Sequence, residues 1–145
     1  MENRLSMSKV QPTAYHALMG LEKYLETTQL TKSQKDIIKI RASQINGCAF
    51  CINMHTKEAR SHGETEQRIY LLNAWREVNL FTEEEKAILA LTEEVTHISA
   101  HGVSDEVYQK VQTILGDVGL AQVLMAIIAI NAWNRMAISL QMQPE

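Results

Sequence analysis

The chain has 145 residues, 46% of them hydrophobic and 21% charged, which suffices for one domain with its own core and requires no second. Fourteen Lys and Arg stand against 17 Asp and Glu, a net charge of −3 with no run of like charges, which excludes a nucleic-acid surface built on basic residues. No apolar run reaches the roughly 18 residues of a membrane span, and "MENRLSMSKVQ" lacks the apolar heart of a signal peptide, so a single cytoplasmic domain over residues 1–145 is expected.

Prolines occur only at Pro12 and Pro144, and apolar residues recur at helical spacing, which predicts an all-α bundle of six or seven helices. Pro12 and Thr13 open a first helix through "AYHALMGLEKYLETT", with Tyr15, Leu18, Met19 and Leu25 near one face. Thr31 is the N-cap of "KSQKDIIKIRASQI", and Asn46-Gly47 supplies the left-handed residue that ends it. The next helix runs from about Cys48 to Ser61 and stops at Gly63, after which Thr65 caps "EQRIYLLNAWREV". Thr82 and Glu85 form a capping box at the head of "FTEEEKAILALTEEVTHI". Ser104 opens "DEVYQKVQTIL", Gly116 closes it, and a last helix covers roughly Leu120 to Leu140. "LTKSQKDIIKI" and "FTEEEKAILAL" echo each other at the capping threonine, at Lys35 and Lys86, and at Ile37 and Ile88, the second without cysteines.

Chemistry concentrates in "NGCAFCINMHTKEAR". Both cysteines lie there in a C-x-x-C arrangement, which in a reducing compartment points to redox chemistry or metal binding and not to a structural staple. Placed at a helix N-terminus, they meet unpaired backbone N–H groups and the positive end of the dipole, which stabilise a thiolate. Cys48, Cys51 and His55 follow at three- and four-residue spacing, so they share one helical stripe. If the Asn46-Gly47 turn sends the two helices back antiparallel, Asp36 and His55 stand at nearly equal height, counted at about 1.5 Å per residue. The carboxylate is then expected to orient His55, whose other ring nitrogen takes a proton from Cys51.

Cues for the nucleophile conflict at this point: Cys48 is nearer the helix start, whereas His55 is one turn from Cys51 and two from Cys48. Zinc would need His62, His97 or His101 from distant segments to join two cysteines, and c-type haem attachment needs a histidine where Ile52 stands. No metal or cofactor is therefore expected. The remaining histidines are read as surface groups, His62 at a helix end and His97 and His101 flanking a loop. Trp75 and Trp133 are read as core or interface residues, or as walls of an apolar pocket.

The run "DIIKIRASQINGCAFCINMHTKEAR" resembles the core motif of the alkylhydroperoxidase D-like family, within the carboxymuconolactone decarboxylase superfamily. The matching pattern is an acidic residue, a cysteine twelve positions on, C-x-x-C, and a histidine four positions after the second cysteine, here Asp36, Cys48, Cys51 and His55. The likeness extends through "FTEEEKAILALTEEVTHI" and "AIIAINAWNRMAISL". Two positions depart from it: Asp36 stands where glutamate is usual, and Phe50 occupies a place where the best-studied members carry histidine.

The resemblance implies an all-helical homo-oligomer, a trimer or hexamer, that reduces hydroperoxides through the cysteine pair. In it Cys51 is peroxidatic and Cys48 resolving, and a lipoyl-bearing or thioredoxin-like dithiol restores the pair. A disulfide reductase and a redox-sensing oligomer are the alternative uses of the same dithiol.

Overall fold

The structure is a computed structural model describing residues 4–145; the first three residues of the expected domain lie outside the described part. Among the described residues nine helical elements and no strand occur. They are α1 (Met7–Val10), α2 (Pro12–Glu26), α3 (Lys32–Asn46), α4 (Ala49–Ser61), α5 (Glu66–Tyr70), a 3₁₀ helix (Leu72–Glu77), α6 (Glu83–Thr96), α7 (Ile98–His101) and α8 (Asp105–Ser139). The all-α expectation holds. The count exceeds six or seven because short elements precede α2 and follow α6, and because the helix expected after Thr65 is split.

That split has a local cause. Thr65 does cap α5, its hydroxyl accepting from the Arg68 backbone N–H, but helical geometry fails at Ala74 (φ −115°, ψ 27°). The tighter 3₁₀ winding turns Leu72 and Trp75 inward together, and both are buried beside Ile37, Ile40 and Phe81. His97 and His101, expected to flank a loop, bracket α7 instead.

Helix α3 is the centre of the arrangement, packing against α4, α6 and α8. Its buried residues include Ile37, Ile38, Ile40, Ala42 and Ser43, facing neighbours on several sides. One core joins Leu25, Ile38, Ile88, Leu91 and Ile127 from four helices, and a second gathers Ile37, Ile40, Leu72, Trp75 and Leu89. The echoing helices α3 and α6 lie against each other and start alike, for Thr31 with Gln34 and Thr82 with Glu85 both form complete capping boxes.

Helix α8 has the length and composition of a membrane span, but Gly116 (φ 73°, ψ 177°) breaks it as the sequence reading expects. Leu120, Val123, Ile127 and Ile130 beyond the break belong to the first core.

The end of α3 is tied to α8 through polar groups, Ser43 and Asn134 buried and Asn46 and Asn131 half-buried. Asn46 Nδ2 donates to Asn131 Oδ1 and to Asn134 Oδ1, both at 2.9 Å. Asn134, fully buried, donates to Ser43 Oγ at 3.0 Å, and the Ser43 hydroxyl donates to the Lys39 carbonyl at 2.6 Å. Each member satisfies another, which is the condition for a buried polar network to stabilise. Replacement of Asn134 by Ala should therefore leave Asn46 and Ser43 short of a partner and lower unfolding stability by about 2 kcal/mol. Chemical denaturation checks this, and a loss indistinguishable from zero would mean the network is dispensable.

Candidate active site

Gly47 closes α3 in the left-handed conformation (φ 68°, ψ 35°), where any residue with a β-carbon is strained. The chain reverses there, and Cys48 becomes the N-cap of α4, its Sγ accepting from the Cys51 backbone N–H at 3.3 Å. Cys51 is thus the third residue of α4, and the two sulfurs are joined as a disulfide with Cα atoms 5.3 Å apart. Both cysteines are buried against Ala137 of α8, with Phe50 beside them. Opening that disulfide would release a sulfur at the positive end of a 13-residue helix.

The two sulfurs are not equally placed. A cavity of about 320 Å³ is lined by Cys51, Phe50, Met54, His55, Glu58 and Trp133, among others, and Cys48 is not part of its wall. Met19, Met136 and Met142 complete a mostly apolar lining, while Glu22 and Lys39 stand at its polar side. Glu22 accepts from the Trp133 indole N–H at 3.0 Å and pairs with Lys39 at 3.7 Å, so these charges are held on the wall. Trp133 therefore walls an apolar pocket, whereas Trp75 is a core residue. A larger cavity of about 570 Å³ between residues 4–9 and 136–143 shares Tyr15, Met136 and Met142 with this one, but no cysteine, histidine or carboxylate lines it.

The expected pairing of Asp36 with His55 does not occur. His55 Nδ1 donates to Glu58 Oε2 at 3.1 Å, within its own helix; Asp36 Oδ2 instead accepts from His62 Nδ1 at 2.8 Å. The equal-height argument counts Cα positions, and side chains do not point straight out. Every helical Cα–Cβ bond tilts toward the helix N-terminus, so Asp36 leans away from the turn while α4 side chains lean toward it. Its partner must stand further along α4. His62 is seven residues beyond His55, two turns on and on nearly the same face, so the expected face is correct and the height is not. His62, read as a surface group at a helix end, is exposed as expected, and its ring is nonetheless the partner of the buried Asp36.

Glu58 is the residue that sequence reasoning passes over. It sits three positions after His55, the spacing of neighbours on one helical face, and that signal is present in "HTKE". Burial pushes the proton affinity of His55 down, against the opposing bond to Glu58 and reinforced by the charge of Lys39. For Glu58 burial acts upward, but the His55 bond and the charges of Lys39, His55 and His62 outweigh it and hold the carboxyl below its usual range. The pair is accordingly a neutral imidazole beside an ionised carboxylate, with Nδ1–H engaged and Nε2 left to take a proton. Among the described residues no three His, Cys, Asp or Glu side chains converge as a metal site would require.

A model of the carboxymuconolactone decarboxylase family matches residues 12–94. The uncharacterized protein YdfG of Bacillus subtilis (strain 168) is 42% identical over 140 residues, covering 97% of this chain and 95% of its own. A crystal structure of a protein of unknown function from Agrobacterium tumefaciens, suggested by its describers to be the antioxidant defence protein AhpD, has a TM-score of 0.94 at 39% identity over 99% of each chain. The debrominase Bmp8 has a TM-score of 0.85 at 19% identity, covering 96% of this chain and 74% of its own, a likeness of fold.

The lowered proton affinity of His55 has a consequence for stability. The ordinary value is 6.5, so on acidification the unfolded chain binds this proton first. The contribution is complete above pH 6.5 and is lost as pH falls through the lower folded value. His55→Gln should flatten the decline in unfolding stability between about pH 6.5 and 5. Denaturation curves at several pH values check it; equal slopes in parent and variant would remove His55 as the cause.

Proposed function

The chain belongs to the carboxymuconolactone decarboxylase family, and from that premise we propose that it is a thiol-dependent hydroperoxide reductase. The observation that carries the reading is the asymmetry of the dithiol: Cys51 opens onto a mainly apolar cavity that also contains His55, while Cys48 lies behind it.

In the reduced enzyme His55, oriented by Glu58, takes the Cys51 thiol proton at Nε2. The thiolate attacks the outer oxygen of a hydroperoxide, the O–O bond breaks, and the departing alkoxide leaves as alcohol with the proton held by His55. Cys51 is then a sulfenic acid. The Cys48 thiol displaces its hydroxyl as water, forming the Cys48–Cys51 disulfide. An external dithiol, lipoyl-bearing or thioredoxin-like, returns two electrons and two protons by exchange. Helix α4 serves both steps, since its N-terminus stabilises the attacking thiolate and again the thiolate that leaves when the disulfide is reduced.

The apolar lining suits a hydroperoxide with an alkyl or aromatic body, and Phe50 makes that wall greasier than a histidine would. A homo-oligomer, trimer or hexamer, is part of the proposal, because α8 leaves Val118, Ile128 and Ile138 exposed. Sedimentation at micromolar concentration tests it, and a monomer would overturn that element.

Three measurements on cysteine and carboxylate variants test the chemistry. Cys48→Ser given an alkyl hydroperoxide should accumulate a sulfenic acid at Cys51 that a dimedone-type probe traps, whereas Cys51→Ser should give little at Cys48. An adduct confined to Cys48 would reverse the two roles. Glu58→Gln should slow the reaction of reduced protein with peroxide on the order of tenfold to a thousandfold. An unchanged rate would remove Glu58, and turnover of an aromatic disulfide without turnover of hydroperoxide would replace the proposal by disulfide reduction.

A further inference from the structure

Beyond α8 the chain turns back across the cysteine cavity, and the steps above make no use of that segment. Leu140 caps the helix and Gln141 takes the left-handed conformation (φ 52°). The Gln141 N–H donates to the Ile138 carbonyl at 3.1 Å and the Met142 N–H to the Ala137 carbonyl at 3.0 Å. Together these bonds make the Schellman reversal, which usually has glycine at the left-handed place. Glutamine is strained there, so contacts beyond the turn must hold it.

Those contacts reach a second helix. Asn53 Nδ2 donates to the main-chain oxygen of Glu145 at 3.1 Å, and Lys57 Nζ donates to the same oxygen at 2.8 Å. Asn53 and Lys57 are four residues apart on α4, on the stripe beside Phe50 and Met54. At the other end Arg4 Nη1 donates to the Ser139 carbonyl at 2.7 Å. Residues 140–145 are thus a strap fastened to α8 at one end and to α4 at the other.

Between the fastenings, Met142 lines the cysteine cavity on one side and the larger cavity on the other. Tyr15 and Met136 line both as well, but they belong to α2 and α8; Met142 alone of the three stands on the strap. The cysteine cavity is small. Its volume of about 320 Å³ is at the low end of the roughly 300–1,000 Å³ of ligand pockets, and the space beyond Met142 is about 570 Å³.

Resting on the reading of Cys51 as the sulfur that meets peroxide, we propose that Met142 is a specificity-determining residue, held by the strap as the wall that ends the cavity, so that the substrate is a compact alkyl or aryl hydroperoxide and not one carried on a long acyl chain. A compact body fills the space among Phe50, Met54 and Trp133 with its peroxide group at Cys51. A long chain has to pass Met142 into the second cavity, and the strap has to leave α4 to let it by. The flexible thioether lets the wall adjust to the shape of the body, while the turn at Gln141 and the bonds from Asn53 and Lys57 set where the wall stands.

The experiment separates the wall from the chemistry. Cys48→Ser leaves Cys51 as the sole thiol, and its alkylation by N-ethylmaleimide and by N-octylmaleimide reads access with one reactive group at two lengths. Met142→Ala in that background should raise the octyl-to-ethyl rate ratio on the order of tenfold. The double variant Asn53→Ala with Lys57→Ala keeps every side chain of the cavity wall and should move the ratio in the same direction. With both cysteines present, the same variants should favour linoleic acid hydroperoxide over tert-butyl hydroperoxide relative to the parent. A maleimide ratio unmoved in either variant overturns the proposal. Should Met142→Ala not fold, the double variant, whose changes lie outside the cavity, decides by itself. Shifted maleimide ratios in a protein that turns over no hydroperoxide refute the proposed activity and keep the wall; hydroperoxide turnover with unmoved ratios does the reverse.

Discussion

The left-handed turn at Gly47 is the constraint on which the site depends. It ends α3, reverses the chain, and leaves Cys48 as the cap of α4 and Cys51 in its first turn. A residue with a β-carbon is destabilised by about 1 kcal/mol or more in that conformation, and a relaxed turn would move both sulfurs relative to the N-terminus of α4. The turn is itself anchored. Asn46, immediately before it, is held by Asn131 and Asn134, and the Cys48 N–H donates to the Ser43 carbonyl at 3.0 Å. The long helix that fills the core thus also fixes the angle at which the dithiol helix departs.

From that geometry the different surroundings of the two cysteines follow. Two residues three apart at a helix start share a face but not an environment. Both pack against Ala137, but only Cys51, the third residue, lines the cavity whose wall continues through His55 and Glu58. Both cysteines are buried, but Cys51 shares its cavity wall with His55 and Cys48 does not. Burial of His55 belongs to the same logic. Burial lowers the proton affinity of the imidazole, and the ionised carboxylate bonded at its Nδ1 opposes that effect.

Most of the fold is legible because its signals are local. Thr31, Thr82 and Ser104 announce helix starts through side-chain oxygens, and Gly47, Gly63 and Gly116 mark ends through backbone freedom, so each boundary is written within four residues. The helix after Thr65 is misread for the opposite reason. "EQRIYLLNAWREV" has a good cap and helical spacing, but burial of Leu72 and Trp75 against α3 and Phe81 selects a tighter winding that no local pattern encodes. In the site, spacing within one helix carries Cys51 and His55 to one cavity, with Cys48 joined to Cys51 but outside that wall. Spacing between helices does not carry Asp36, because pairing across α3 and α4 depends on the direction of side chains as well as the heights of their α-carbons.

The misplacement of Asp36 is instructive about what a motif encodes. An acidic residue twelve positions before the first cysteine reads as the orienting partner of the histidine, yet His55 is bonded to Glu58 on its own helix. Aspartate is one methylene shorter than glutamate and must find its partner closer to its own backbone, and His62 at the end of α4 meets it there. The acidic position thus keeps its place on α3 and its orientation toward α4 while its contact moves two turns. Two carboxylate–imidazole pairs result where direct contact would have made one, His62 with Asp36 in one cleft and His55 with Glu58 at the cysteine cavity, and Glu58 lines both clefts.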